Sequence, residues 1–203
     1  MNISNQAPFL TVKDYSVSQE IFDLYHDEKL DMLITSPQPS LENLGKYYES
    51  VDYISHTDSK RSLFEKAYHI VKSIALKNKL NLINSLQFNK GRILDIGAGT
   101  GDFLSVAKEN GWHTIGVEPS DKAKAIAKKK GVSFVGDTSE LENHSFDVIS
   151  MWHVLEHVPN LNNQIKELKR LLKPNGTLII AVPNLKSFDA KHYGMFWAAY
   201  DVP

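Results

Sequence analysis

The chain has 203 residues, of which 42% are hydrophobic and 23% charged, as in an ordinary folded domain. Its 23 Lys and Arg residues nearly balance 24 Asp and Glu residues, so the net charge of -1 gives no bulk attraction to nucleic acid or to an anionic membrane. The absence of cysteine excludes disulfides, thiolate metal sites and a cysteine nucleophile. No secretory leader is visible, and no stretch reaches the ~18 apolar residues of a membrane span. We therefore expect a cytoplasmic protein with a small-molecule substrate and no membrane partner.

Residues 1–57 are predicted to form an N-terminal extension with a hairpin and a short helix. Two apolar segments between residues 20 and 35 flank a polar tetrapeptide, a pattern typical of a β-hairpin. A longer amphipathic helix begins near residue 58 and ends near Leu86. It opens the predicted main domain, residues 58–203.

From Gly91 onward, short apolar segments alternate with helical patterns. The predicted strands cover residues 92–96, 113–118, 132–135, 146–151 and 177–182. The predicted helices and the turn before the last strand cover residues 100–110, 120–130, 160–172 and 173–176. Near-continuous apolar strands separated by helices indicate a buried parallel sheet with right-handed crossovers. We therefore predict an α/β fold with a doubly wound, Rossmann-like parallel sheet.

Three glycines, Gly97, Gly99 and Gly101, lie between the first of these strands and the helix after it. A ligand can approach bare backbone there, at a helix N-terminus. In the dinucleotide fingerprint the last two glycines are three residues apart, whereas here they are two apart and Asp95 precedes the loop. A carboxylate repels a pyrophosphate, but it accepts hydrogen bonds from an ammonium group and is compatible with a sulfonium cation. The loop thus disfavours NAD, and an NAD-linked oxidoreductase remains the alternative enzyme.

Further motifs follow in order over residues 90–183. They read LDIGAGTG from residue 94, GVEPS from 116, GD from 136, FDVI from 146, WHVLEH from 152 and LLKPNGTL from 171. This ordered set resembles the class I S-adenosylmethionine-dependent methyltransferases, and within them bacterial small-molecule enzymes similar to the ubiquinone-biosynthesis methyltransferases. The resemblance implies S-adenosylmethionine as cofactor, S-adenosylhomocysteine as product, and methyl transfer to an oxygen, nitrogen or carbon atom.

The resemblance also assigns cofactor contacts to residues at the strand ends. It implies that Asp95 lies near the methionyl group, Glu118 on the ribose hydroxyls and Asp137 near the adenine amino group. The full predicted set is Asp95, Gly97, Ala98, Gly99, Thr100, Gly101, Glu118, Pro119, Asp137, Thr138, Trp152 and His153. A carboxylate at position 118 accepts both ribose protons and repels a 2′-phosphate, which excludes NADP. The alternative for each carboxylate is an ordinary strand-end or turn-stabilising role.

His153 is the predicted catalytic residue. It leaves the fourth strand at its carboxyl end, where ligands bind, and imidazole titrates near neutral pH, so it can take a proton from a substrate hydroxyl. A role in the cleft wall or in cofactor binding is the alternative. His153 and His157 also match a zinc-protease pattern, but Pro159 leaves little helix to hold both, so no metal is expected. The strand end lacks the Asp-Pro-Pro-aromatic segment of base-methylating enzymes, so no nucleic acid is expected.

The C-terminal segment is short for the family pattern. The resemblance implies a seven-stranded sheet whose last two strands follow the fifth, and residues 183–203 are all that follow it here. We therefore expect the C-terminal strands to be missing. The uncovered sheet edge then pairs with a second copy or is covered by the hairpin near residues 20–35. A non-catalytic cofactor-binding or interaction module is the remaining hypothesis.

Overall fold

The computed structural model describes residues 6–40, 42–47 and 63–203. They belong to two compact units, of which one combines Met1–Ser55 with Pro183–Pro203 and the other spans His56–Val182. The C-terminal segment thus groups with the N-terminal extension, a grouping that the sequence does not reveal. The predicted division after residue 57 stays a prediction.

The N-terminal unit contains a three-stranded antiparallel sheet in the order β1-β2-β3. Its elements are β1 (Leu10–Lys13), β2 (Ile21–Asp27), β3 (Met32–Ser36) and the one-turn helix α1 (Leu44–Tyr47). The hairpin predicted near residues 20–35 is confirmed, because β2 pairs with β3. Its turn is fixed by Asp27, whose side chain accepts hydrogen bonds from the backbone N–H groups of Lys29 and Leu30. Strand β1 was not predicted.

The second unit contains a five-stranded parallel sheet in the order β6-β5-β4-β7-β8. Its strands are β4 (Arg92–Ile96), β5 (His113–Val117), β6 (Ser133–Val135), β7 (Phe146–Trp152) and β8 (Leu172–Ala181). Its helices are α2 (Leu63–Leu86), α3 (Asp102–Glu109), α4 (Asp121–Lys129) and α5 (Leu161–Leu171). The predicted α/β fold with a Rossmann-like parallel sheet is confirmed. The predicted start of α2 near residue 58 lies outside the described residues.

The core of this unit lies on both faces of the sheet. Ile93 of β4 packs on one face and Leu94 on the other, and both side chains are fully buried. Helices α2, α3 and α4 contribute to the first cluster, and α5 contributes to the second. A strand buried on both faces needs apolar residues at consecutive positions, which explains the continuous apolar runs of the sequence.

Strand β8 differs from its prediction. Phe146 pairs with Leu172, whereas Val148 pairs with Thr177, so the register shifts and residues 173–176 bulge from the ladder. The proline of this segment has no N–H to donate, which favours a break in the ladder. The prediction of a separate turn there is wrong, because the chain resumes pairing with the same neighbour strand after the bulge.

The outer edge of β8 has no hydrogen-bonded neighbour among the described strands. The hairpin forms its own sheet with β1 and therefore adds no strand to β8. After β8 the chain forms the short helix α6 (Phe188–Tyr193), whose first turn is capped by the Ser187 side chain. None of the helices in the described ranges has the length and apolar character needed to cross a bilayer.

Candidate functional site

The glycine loop joins β4 to α3 at the carboxyl edge of the sheet. Gly97, Gly99 and Gly101 all have left-handed backbone, with φ of 72°, 51° and 71°. A Cβ at Gly97 would lie 2.3 Å from Val154, and one at Gly101 would lie 2.7 Å from Ala127. These two positions therefore need glycine both for conformation and for space.

The loop leaves the first turn of α3 without a side-chain cap. Gly101 is the N-cap residue and has no side chain, so it makes no side-chain hydrogen bond to the N–H groups that follow it. The helix was predicted to begin at Thr100 but begins at Asp102, because the left-handed Gly101 cannot be part of it. Free N–H groups at a helix N-terminus can bind polar or negatively charged ligand atoms.

Glu118 follows β5 and ties two loops together. Its side chain is 3% exposed. One carboxylate oxygen accepts a hydrogen bond from Gly99 N–H at 2.8 Å, and the other accepts one from Ser120 N–H at 2.9 Å. Each oxygen retains a further acceptor position, so the carboxylate can also bind two ligand hydroxyls.

Asp95 lies under the loop, within β4. It is buried and accepts a 2.6 Å hydrogen bond from the Ser150 hydroxyl. Burial raises the pKa of Asp95 to about 7, against the lowering effects of the Ser150 hydrogen bond and the Lys79 charge. The negative charge of Glu118 raises it further. Its contact with a methionyl group stays a prediction.

Asp137 has the turn-stabilising role that the sequence left as the alternative. It is exposed and accepts a hydrogen bond from Ser139 N–H at 2.8 Å, while Glu140 accepts one from the Asp137 N–H at 3.0 Å. These two bonds form a capping box for the helical turn that begins at Thr138. The adenine contacts predicted for Asp137 and Thr138 stay predictions, as does that of the exposed Pro119.

Trp152 ends β7, beside the glycine loop. The Phe103 and Trp152 rings form a T-shaped pair at a centroid distance of 5.9 Å, and the Lys79 ammonium lies 4.3 Å from the Trp152 ring centroid. The indole Nε1 is buried and has no hydrogen-bond partner among the residues that the structure describes. A buried donor without an acceptor is uncommon and marks a place where a ligand atom could complete the bonding.

His153 has a strained backbone and an exposed ring. Its φ is 57°, a conformation that is rare outside glycine and concentrated at functional sites. Its N–H donates to the Ala181 carbonyl, and its side chain is 64% exposed, with Nδ1 3.5 Å from a Glu156 carboxylate oxygen. Residues Leu155–His157 form a single 3-10 turn. Across the described ranges no three His, Cys, Asp or Glu side chains are grouped to hold a metal.

Sequence reasoning missed Lys79. The one available signal is its position in α2, on the same helical stripe as Leu76, Leu80 and Ile83, which pack into or against the core. A cation at such a position departs from the apolar pattern, but no motif marks it.

Two other lysines near the loop are already paired. Lys72 and Lys130 both bind the carboxylate of Asp102, at 2.8 and 2.9 Å. Lys130 also donates to the Thr100 carbonyl.

Comparison with known proteins identifies the family. Residues 60–203 match the methyltransferase domain family, and the chain belongs to it. The predicted membership of the class I S-adenosylmethionine-dependent superfamily is thereby confirmed, and with it the cofactor of the class.

Curated relatives match over part of their length. The chain is 36% identical over 107 residues to an uncharacterized protein of Methanocaldococcus jannaschii, covering 51% of this chain and 50% of that protein. It is 31% identical over 121 residues to a demethylmenaquinone methyltransferase of Thermotoga maritima, covering 55% of this chain and 53% of that protein. It is 30% identical over 133 residues to a ubiquinone biosynthesis O-methyltransferase of Actinobacillus pleuropneumoniae, covering 59% of this chain and 56% of that protein. The chain thus spans about half the length of these relatives.

Solved structures share the fold. An S-adenosylmethionine-dependent methyltransferase of Thermotoga maritima, described as a possible histamine N-methyltransferase, superposes with a TM-score of 0.51 at 30% identity, over 66% of each chain. An S-adenosylmethionine-dependent methyltransferase of Archaeoglobus fulgidus gives a TM-score of 0.53 at 22% identity, over 71% of this chain and 68% of that one, which supports the fold alone.

Proposed function

We propose that this chain transfers the methyl group of S-adenosylmethionine to an oxygen, nitrogen or carbon atom of a small molecule. The observation that carries the proposal is the buried Glu118 carboxylate, hydrogen-bonded to the glycine loop at Gly99. Names of similar proteins support a small acceptor, since they refer to demethylmenaquinone, ubiquinone biosynthesis and, as a possibility, histamine.

The residues around the loop fit this cofactor chemically. S-adenosylmethionine supplies an electrophilic methyl group on a positively charged sulfur. Glu118 has acceptor positions for the two ribose hydroxyls, and the free N–H groups at the start of α3 can bind its polar atoms. The negative charge of Asp95, when ionised, stabilises a nearby ammonium or sulfonium group.

A dinucleotide fits the same residues poorly. A pyrophosphate carries two negative charges, and Asp95, when ionised, would repel it. Lys72 and Lys130, which could have neutralised it, are paired with Asp102. This arrangement favours a cationic methyl donor over NAD.

His153 is the group proposed to handle the acceptor proton. Its ring is exposed at the carboxyl end of β7, so it can reach a hydroxyl or ammonium group of a bound acceptor. Positioning of the acceptor in line with the methyl group supplies the remaining catalysis.

Calorimetric titration with S-adenosylhomocysteine and, separately, with NAD tests the proposal. We expect S-adenosylhomocysteine to bind and NAD not to bind. Glu118→Gln weakens the binding roughly 10- to 100-fold, the usual effect of removing hydrogen bonds to a charged group. Glu109→Gln, at the exposed end of α3, is the matched control and leaves the affinity unchanged.

The opposite preference for NAD would overturn the proposal in favour of an oxidoreductase. Release of labelled methyl product from a panel of phenols and amines then separates an enzyme from a binding module. Binding of S-adenosylhomocysteine without turnover of any acceptor would favour the module.

A further inference from the structure

Arg170 lies on α5 and binds the segment that connects β6 to β7. Its Nη2 donates to the Thr138 carbonyl at 2.9 Å, and its Nη1 donates to the Leu141 carbonyl at 2.8 Å. Nη1 also donates to the side-chain oxygen of Asn143 at 2.6 Å. The carboxylate oxygens of Glu167 accept from Nε at 2.8 Å and from Nη2 at 2.6 Å. A guanidinium group has five N–H donors, and all of them are thus used.

These contacts fix the path of residues 138–143, the β6–β7 segment. Glu167 precedes Arg170 by one helical turn, and its two bonds hold the plane of the guanidinium group in one orientation. In that plane, the other donors set the direction of two carbonyl groups of the segment. The Leu141 side chain is buried in the core on the α5 side of the sheet. The segment is therefore held through both its backbone and its side chains.

The β6–β7 segment begins beside the strand that leads to Glu118. In the sheet, β5 lies between β6 and β4, and ligands of such a sheet bind across the carboxyl ends of its strands. The glycine loop and Asp95 at β4 suit the cationic chain on one side of the ribose, and Glu118 suits the ribose itself. The base is attached to the other side of the ribose. It therefore extends toward the end of β6.

The side chain that caps the β6–β7 segment can distinguish two purines. Asp137 accepts a hydrogen bond from Ser139 N–H, and its carboxylate retains further acceptor positions. Adenine has an amino group at C6, which donates to a carboxylate. Hypoxanthine has a carbonyl oxygen there, which a carboxylate repels. This discrimination depends on where the carboxylate lies, because hydrogen bonds weaken steeply with distance and angle.

We propose that Arg170 is a positioning residue that gives the cofactor site its preference for adenine. It acts through the backbone of the β6–β7 segment, which places Asp137, and not by touching the cofactor. This inference rests on the proposed function, since it concerns the base of the same cofactor. A lysine at this position could pair with Glu167, but its single ammonium group could not also hold two carbonyl groups in one plane.

Binding of S-adenosylhomocysteine is compared with binding of S-inosylhomocysteine, in which hypoxanthine replaces adenine. We expect the wild-type chain to bind the adenine form roughly 10- to 100-fold more tightly, the usual effect of a hydrogen bond to a charged group. Arg170→Met removes most of this preference and leaves the affinity for the hypoxanthine form unchanged. Arg170→Lys also loses most of it, although the positive charge is kept. Lys169→Met, on an exposed position of the same helix, is the matched control and keeps the wild-type preference.

Amide hydrogen exchange gives a second measurement that needs no ligand. Exchange of the β6–β7 segment is expected to become faster in Arg170→Met, whereas exchange of the glycine loop, residues 97–101, stays at the wild-type rate. A change in both regions would indicate a general loss of stability and would contradict the positioning role.

The inference is overturned if Arg170→Met or Arg170→Lys keeps the wild-type preference for adenine. It is also overturned if a variant whose thermal unfolding matches that of the wild type binds both ligands equally more weakly, or if the wild-type chain binds both ligands with the same affinity. A wild-type chain that binds neither ligand overturns the proposed function itself. The two failures are therefore distinguishable.

Discussion

The buried carboxyl group of Asp95 makes the stability of the fold depend on pH. Its ordinary pKa is 3.8, and burial raises it to about 7 in the folded chain. Between these values the unfolded chain releases the proton while the folded chain retains it. The contribution of Asp95 to stability is therefore fully present below about pH 4 and is lost as the pH rises to about 7.

Asp95→Asn removes this dependence, because the amide oxygen still accepts the Ser150 hydrogen bond and has no proton to lose. We expect the free energy of unfolding of the wild type to fall relative to that of the variant by about 1 kcal/mol per pH unit between about pH 5 and 7. Urea unfolding at several pH values measures it. Parallel curves for the two proteins would contradict the raised pKa.

His153 can be separated from a merely structural histidine. His153→Ala is expected to lower turnover by about 10²–10⁴-fold, with little change in S-adenosylhomocysteine affinity, because the imidazole acts on the acceptor proton. His144→Ala is the matched control, since His144 also has left-handed backbone, with φ of 51°, and precedes β7 at its other end. Equal losses of rate and cofactor affinity in His153→Ala would instead assign the ring to the cofactor pocket.

At the level of elements, the glycine loop joins a strand end to a helix start in one left-handed segment. Gly111 offers a comparison, because its φ is 90° and a Cβ there would meet only Lys90 Cγ, at 3.9 Å. Replacement of Gly99 or of Gly111 by Ala forces a side chain into left-handed backbone, which costs about 1–2 kcal/mol.

We therefore predict that Gly99→Ala and Gly111→Ala lower the thermal stability by similar amounts. Only Gly99→Ala is expected to weaken S-adenosylhomocysteine binding, by more than roughly tenfold, because a side chain on this left-handed backbone displaces the N–H that donates to Glu118. Calorimetric titration of both variants measures this. Equal affinities would show that Gly99 serves the turn alone.

Elements with strong local signals were predictable from sequence. Strand β4 was predicted with its observed bounds, because a continuous apolar run ends at glycines that must take left-handed backbone. The Lys-Pro-Asn-Gly segment has turn chemistry, but pairing of β8 with β7 on both sides made it a bulge. Strand β1 was missed because it has four residues and is stabilised by its partner β2 rather than by its own pattern.

At the scale of the molecule, the parts of the site that lie in one motif were predictable, and those that depend on distant segments were not. Asp95, the glycine loop and Glu118 lie at the carboxyl ends of two strands that are consecutive in the sequence, which is where a doubly wound sheet binds its ligand. Lys79 meets Trp152 only through the packing of α2 on the sheet. The grouping of Pro183–Pro203 with the N-terminal unit likewise depends on contacts between the two ends of the sequence.

The open edge of β8 leads to a prediction about association. Leu178 and Ile180 are 41% and 37% exposed on this strand, which has no described neighbour on its outer side. Unpaired edges with apolar side chains tend to pair with other chains. We expect concentration-dependent dimers in sedimentation velocity, weakened by Ile180→Lys. Ile165→Lys on α5, where the side chain is 38% exposed, is the control and leaves association unchanged. A monomer at every concentration would contradict this prediction.

The two hydrogen bonds of Glu118 also bear on binding kinetics. By joining Gly99 to Ser120, the carboxylate orders both loops while the chain folds, before any ligand arrives. The entropy of ordering these loops is then part of folding and not of association. Cofactor capture should therefore resemble entry into a preformed cleft. We expect a single-phase association whose rate rises linearly with ligand concentration, without the plateau that a slow loop rearrangement would impose.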